Sequence, residues 1–193
     1  MTEAEWLASA DSRPMVALLE THPRNTPRVW RLFMTAFWVE QLPFITEKAA
    51  RAEFLRRIAQ LEKWADSGRA PSRRYLNVFM DGDVTEARRR TVAVAAQEGP
   101  SWKTAFQRQS DLLRELFGNP FRPVAVEPDW LTSDVLLLAQ GIYDEKAFDR
   151  MPILADALQD AGCANDDVLN HCRDAVQVHV RGCWVLDLVL GKG

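Results

Sequence analysis

The segment at positions 102–118, which reads WKTAFQRQSDLLRELFG, decides the fold class of this chain. Its apolar residues recur every three to four positions, as they do on one face of an α-helix. Gly118 suits the left-handed conformation that closes a helix, and Pro120 follows it. Gln109 is the one polar residue on the apolar face, and we interpret it as a partly exposed edge position. The segment therefore predicts an amphipathic helix that packs against a core.

Helical signals extend through the chain on both sides of this segment. Thr2 and Glu5 have the spacing of a capping box, and Asn165 is a typical N-cap residue. Strand-type alternation of polar and apolar residues is scarce. We therefore predict an all-α, multi-helix globular fold with a Pro-rich joint near residue 120. The expected helices begin at Pro14 and Pro27, or span 46–67, 88–96, 102–117, 132–146, 151–161, 166–173 and 180–190.

The last of these segments, 180–190, is apolar at eight of its eleven positions. We predict a buried helix here, with a buried strand as the alternative. We expect this segment to pack against the 151–161 helix through Ile153, Leu154, Ala157 and Leu158.

The 193 residues are 47% hydrophobic and 26% charged, with a formal net charge of −3. These values exclude a disordered, a collagen-like and a rod-like coiled-coil chain. The length suits one domain, or a small domain with an extension. We divide the chain into a helical N-terminal region, 1–109, and a helical C-terminal region, 110–193, with one continuous domain as the alternative.

The N-terminal segment has no basic start and no long apolar run, so we expect no secretory signal and no membrane span. Three cysteines are an odd number, which is typical of reduced thiols rather than a disulfide framework. We therefore expect a cytoplasmic protein. Between residues 51 and 90 there are ten basic and six acidic residues, but the whole chain is acidic. We expect no specific binding of nucleic acid there.

Four strings of the sequence resemble a paralogous protein family of planctomycete-type bacteria. The quoted strings are MTEAEWL at 1–7, LRELFGNPFRPV at 113–124, PILADALQDAGC at 152–163 and HVRGCWVLD at 179–187. The resemblance covers about residues 1–20 and 110–193, and the region 21–109 does not match it. It implies a lineage and no assigned activity.

All three cysteines and two of the three histidines lie between Cys163 and Cys183. Zinc prefers four nitrogen or sulfur donors in a tetrahedron. We therefore hypothesise a zinc site made by Cys163, His171, His179 and Cys183, with Cys172 as an alternative ligand. If residues 179–183 are helical, His179 and Cys183 share one face. The alternative is that the cysteines are small buried apolar residues and the histidines are caps or surface groups.

No motif of the sequence identifies a catalytic residue or an organic cofactor. Our leading hypothesis is a cytoplasmic, non-enzymatic protein-interaction or regulatory module with an unknown protein partner, because aromatic residues are many and the surface charge is split. The alternatives are a zinc-stabilised module built on the Cys163–Cys183 cluster and an enzyme of unknown type.

Overall fold

The computed structural model describes residues 1–40, 42, 46, 48–67 and 102–192. These residues form nine α-helices and no strand, which confirms the all-α class for the described part of the chain. The segment 118–127 is not helical, as its two prolines require. The helices are α1 Glu3–Ala8, α2 Ser12–Leu18, α3 Pro27–Val39, α4 Lys48–Ser67, α5 Trp102–Phe117, α6 Ser133–Glu145, α7 Met151–Asp160, α8 Asp166–Arg173 and α9 Trp184–Leu190.

The chain divides into two compact units, 1–114 and 115–193, and the division falls within α5. The sequence-based division into 1–109 and 110–193 stays a prediction. The helix expected at 88–96 lies outside the described residues. Within the described ranges, none of the helices combines the length and the apolar character of a membrane span.

Two helices of the first unit, α1 and α3, begin where their capping residues predict. Thr2 accepts from the Glu5 amide and Glu5 accepts from the Thr2 amide, which completes the predicted capping box. Pro27 opens α3 behind the N-cap Thr26. The second helix begins at Ser12, two residues before the predicted start at Pro14, because Asp11 caps it. In this unit α3 packs against α4, and Trp6, Trp30 and Phe33 are among its fully buried side chains.

Gln109 is buried, and the prediction of an exposed edge position is wrong. Its Oε1 accepts a hydrogen bond of 2.6 Å from the Ser12 hydroxyl, which is buried as well. A buried amide needs such a partner, because an unsatisfied polar group in the core costs about 1–3 kcal/mol. The partner lies 97 residues away in the sequence, so the helical pattern alone did not indicate it.

The second unit has one apolar core to which α6, α7, α8 and α9 all contribute. Helix α7 packs against α6 and α8, while α9 packs mainly against α6. The prediction that the terminal segment packs against the 151–161 helix is therefore wrong in its choice of helix, because the larger contact is with α6. Leu154 and Leu158 do lie in the core, but Ile153 is exposed.

The terminal helix is also shorter than predicted, because α9 begins only at Trp184. Gly182 has a φ of 94°, a conformation that glycine adopts at little cost and that does not continue a helix. The Cys183 amide donates to the Val180 carbonyl at 3.0 Å, which closes a turn over residues 180–183. Residues 179–183 are therefore not helical, and His179 and Cys183 do not share a helix face.

Candidate metal centre

Four side chains of the second unit place one potential ligand atom each within 4.8 Å of all the others. They are Glu115, His171, His179 and Cys183, and we call them the Glu115 cluster. Glu115 and Cys183 are fully buried, and the side chains of His171 and His179 are only 12% and 5% exposed. The structure therefore brings together three of the four ligands predicted from the sequence and adds a carboxylate.

The local structure fixes where each member of the Glu115 cluster stands. Glu115 lies in the last turn of α5, and His171 lies in the last turn of α8. The predicted N-cap Asn165 starts α8 by accepting from the Val168 amide at 3.1 Å. His179 belongs to the irregular segment 174–180, which we call the ligand loop, and Cys183 directly precedes α9.

The carboxylate of Glu115 is the centre of the hydrogen-bond network. Its Oε1 accepts from the Val180 amide at 3.2 Å and lies 3.2 Å from Nδ1 of His179. Its Oε2 accepts from the side-chain amide of Gln177 at 3.1 Å and lies 3.3 Å from Nε2 of His171.

The two remaining histidine contacts complete the geometry. Nε2 of His171 lies 3.2 Å from Sγ of Cys183, so this nitrogen faces both the thiol and the carboxylate. Nε2 of His179 is buried and has no hydrogen-bond partner within the described part of the chain. Buried ring nitrogens normally have a hydrogen-bond partner. The ring nitrogen of His179 that faces Glu115 is the other one, Nδ1.

Burial has the largest effect on the pKa values of two members, His171 and Cys183. Burial lowers the pKa of His171 to about 4, although the neighbouring Glu115 carboxylate acts in the opposite direction. Burial raises the pKa of the Cys183 thiol well above its ordinary value, and Glu115 adds to that shift. His171 is therefore a neutral imidazole near pH 7, which is the form that binds a metal ion.

The structure places Cys163 and Cys172 outside the Glu115 cluster, although both are buried in the core of the same unit. Cys163 follows Gly162, and its amide donates to the Leu158 carbonyl at 2.9 Å, which fixes it at the C-terminal end of α7. Burial raises the pKa of the Cys172 thiol to about 12. Both residues therefore fit the alternative interpretation as small apolar core residues.

Sequence reasoning missed Glu115 and Gln177. A carboxylate in the last turn of a helix lies near the negative end of the helix dipole, which is unfavourable. Glu115 also stands among four apolar residues, Leu112, Leu113, Leu116 and Phe117, with Arg114 as its charged neighbour in the sequence. These two features were the available signals that this carboxylate has a specific partner.

No family model, curated protein or solved structure shows a significant match to the chain. Membership of the planctomycete-type paralogous family therefore stays a prediction from the quoted strings.

Proposed function

We propose that the chain is a metal-stabilised module whose second unit holds one zinc ion in the Glu115 cluster. The observation that carries this proposal is the convergence of four buried ligand atoms within 4.8 Å. Imidazole, thiolate and carboxylate are the groups that bind Zn²⁺ in proteins, and a structural site uses four of them. Low exposure of all four side chains favours a closed structural site over an open catalytic one.

The distances within the cluster support a tetrahedral site. Zinc bonds of about 2.0–2.3 Å give a tetrahedron whose edges are about 3.3–3.7 Å long. Two distances are already close to this length: Nε2 of His171 to Sγ of Cys183, and Nδ1 of His179 to Oε1 of Glu115, each 3.2 Å. Nε2 of His171 lies 3.3 Å from the other carboxylate oxygen, Oε2. The widest pair, at up to 4.8 Å, has to close by about 1 Å, which side-chain rotation can provide.

Charge and hydrogen bonding support the same proposal. A buried carboxylate is costly unless it is paired with a positive group or bound to a metal. Nε2 of His171 carries either a proton or a lone pair, so it cannot donate to Glu115 and accept the Cys183 proton at once. A shared cation satisfies the carboxylate, the imidazole and the deprotonated thiol together.

Metal analysis of cysteine variants tests this proposal, with Cys163→Ser as the matched control for Cys183→Ser. Both residues are buried thiols of one core, but only Cys183 belongs to the cluster. We expect one zinc per chain in the parent protein and in Cys163→Ser, and a large loss of zinc in Cys183→Ser. Zinc that is absent from the parent protein, or equal in both variants, would contradict the proposal.

A second candidate function, a protein-interaction module, has support from the surface of the ligand loop. Val176 is 88% exposed and Val178 is 50% exposed, although valine is normally buried. Apolar side chains that a loop presents to water are the kind of surface that a protein partner contacts.

A photoreactive amino acid at position 176 tests the second candidate in cells, with position 137 as the control. Leu137 is 72% exposed but lies on α6 rather than on the ligand loop. We expect a discrete cross-linked product at position 176 and none at position 137. The same products at both positions, or none at either, would argue against a partner at this loop.

A further inference from the structure

Each oxygen of the Glu115 carboxylate has one histidine and one hydrogen-bond donor. For Oε1 the donor is the Val180 backbone amide, and for Oε2 it is the Gln177 side chain at 3.1 Å. Among the described side chains that contact this carboxylate, Gln177 is the one that cannot itself bind zinc as a nitrogen or sulfur ligand. It stands in the ligand loop, two residues before His179.

The Gln177 amide restricts how the carboxylate can turn. Its N–H donates to Oε2, and Nε2 of His171 lies 3.3 Å from the same oxygen. Without the amide, the carboxylate would be held from the Oε1 side alone, and Oε2 could rotate away from the ligand position.

We propose that Gln177 is a positioning residue that holds Glu115 in its metal-binding orientation and so raises the affinity of the cluster for zinc. This inference rests on the proposed zinc site. Hydrogen-bond partners of metal ligands commonly change metal affinity by about 10–100-fold when they are removed. Because Gln177 is one of two donors to the carboxylate, we expect an effect near the lower limit, about 10-fold.

The test compares metal binding by the full chain with Gln177→Ala, Gln177→Met and Val176→Ala. Gln177→Met keeps the length of the side chain without the amide, in case the alanine variant does not fold. Val176→Ala changes the neighbouring, exposed residue and is the control. We expect about 10-fold weaker zinc affinity in both Gln177 variants, measured by competition with a chelator, and parent affinity in the control.

Absorption of the cobalt(II) form separates positioning from a general structural role. We expect the visible bands of bound Co²⁺ to change in both Gln177 variants, while the metal-free proteins melt at the parent temperature. Parent affinity and parent bands in both variants would overturn the inference and leave the zinc site intact. No zinc or cobalt binding by the parent protein would instead overturn the proposed function, and this inference with it.

Discussion

At the scale of single residues, Glu115 is the group on which the account depends. It is a fully buried carboxylate in the last turn of a helix, so both desolvation and the helix dipole oppose its charge. Four contacts oppose those costs, from His171, Gln177, His179 and Val180. A cation at this position would supply the positive charge that these largely neutral donors lack.

His22 gives a prediction about pH. Burial lowers the pKa of His22, and the nearby Arg24 charge adds to the effect. Its Nδ1 also accepts a hydrogen bond of 3.1 Å from the Arg24 amide, which a protonated Nδ1 cannot do. The unfolded chain therefore binds a proton at His22 more readily than the folded chain does.

The free energy of unfolding should consequently fall as the pH drops below about 6.5, the ordinary pKa of histidine, because protonation favours the unfolded state. His22→Asn keeps an acceptor at this position but does not titrate there. Denaturant unfolding between pH 7.5 and 5.5 should show a shallower decrease in the variant than in the parent protein. Equal slopes would show that His22 makes no such contribution.

Residue-scale features divide clearly into those that the sequence indicated and those that it did not. Thr2, Thr26 and Asn165 cap their helices through partners only three residues away. Contacts over so short a distance can be predicted from the local sequence. The partners of Gln109 and Glu115 lie 97 and 56–65 residues away. Polar groups with such distant partners look like surface residues until tertiary structure is known.

At the scale of elements, Gly118, which follows α5, packs closely against Trp184, the first residue of α9. Gly118 has a φ of 70°, and a Cβ at this position would lie 3.1 Å from Cδ2 of Trp184. The predicted left-handed helix end is thus correct, and a second constraint, close approach of the indole ring, adds to it. Gly191 has a similar φ of 63° but open space around the Cβ position.

This pair gives a matched stability prediction. Gly191→Ala should cost about 1–2 kcal/mol, from the left-handed backbone alone. Gly118→Ala should cost about 1–3 kcal/mol more, because the new methyl group also displaces the Trp184 ring. Chemical denaturation of both variants measures the difference. Equal losses of stability would contradict the tight Gly118–Trp184 packing.

The ligand loop and α9 show why the helix predicted over 180–190 is wrong in its first residues. The composition of 180–190 is apolar enough for a continuous helix, but Gly182 turns the chain before Trp184. Two hydrogen bonds to Glu115, from Gln177 and Val180, then hold the loop without regular structure. The spacing of apolar residues along a segment does not show which carboxylate of another helix the segment will contact.

At the scale of the whole molecule, the metal account predicts that zinc contributes to folding. Zinc that binds the folded chain but not the unfolded chain stabilises the fold. Removing the zinc removes that stabilisation. A strong chelator and Cys183→Ser should therefore both lower the melting temperature. Their effects should not add, since both remove the same ion.

Thermal melts of the parent protein, Cys163→Ser and Cys183→Ser, with and without chelator, measure this. The chelator should lower the melting temperature of the parent protein and of Cys163→Ser, and should leave Cys183→Ser unchanged. An equal decrease in all three proteins would place the metal elsewhere in the chain. No change in any of them would show that no metal contributes to stability.

X-ray absorption at the zinc edge of the purified protein tests the ligand set most directly. The Glu115 cluster predicts one sulfur at about 2.3 Å and three nitrogen or oxygen ligands at about 2.0–2.2 Å. The set expected from the sequence, with Cys163 in place of Glu115, would give two sulfurs and two nitrogens. One sulfur per zinc, lost in Cys183→Ser, is the result that the account predicts; two sulfurs, or a zinc shell without sulfur, would contradict it.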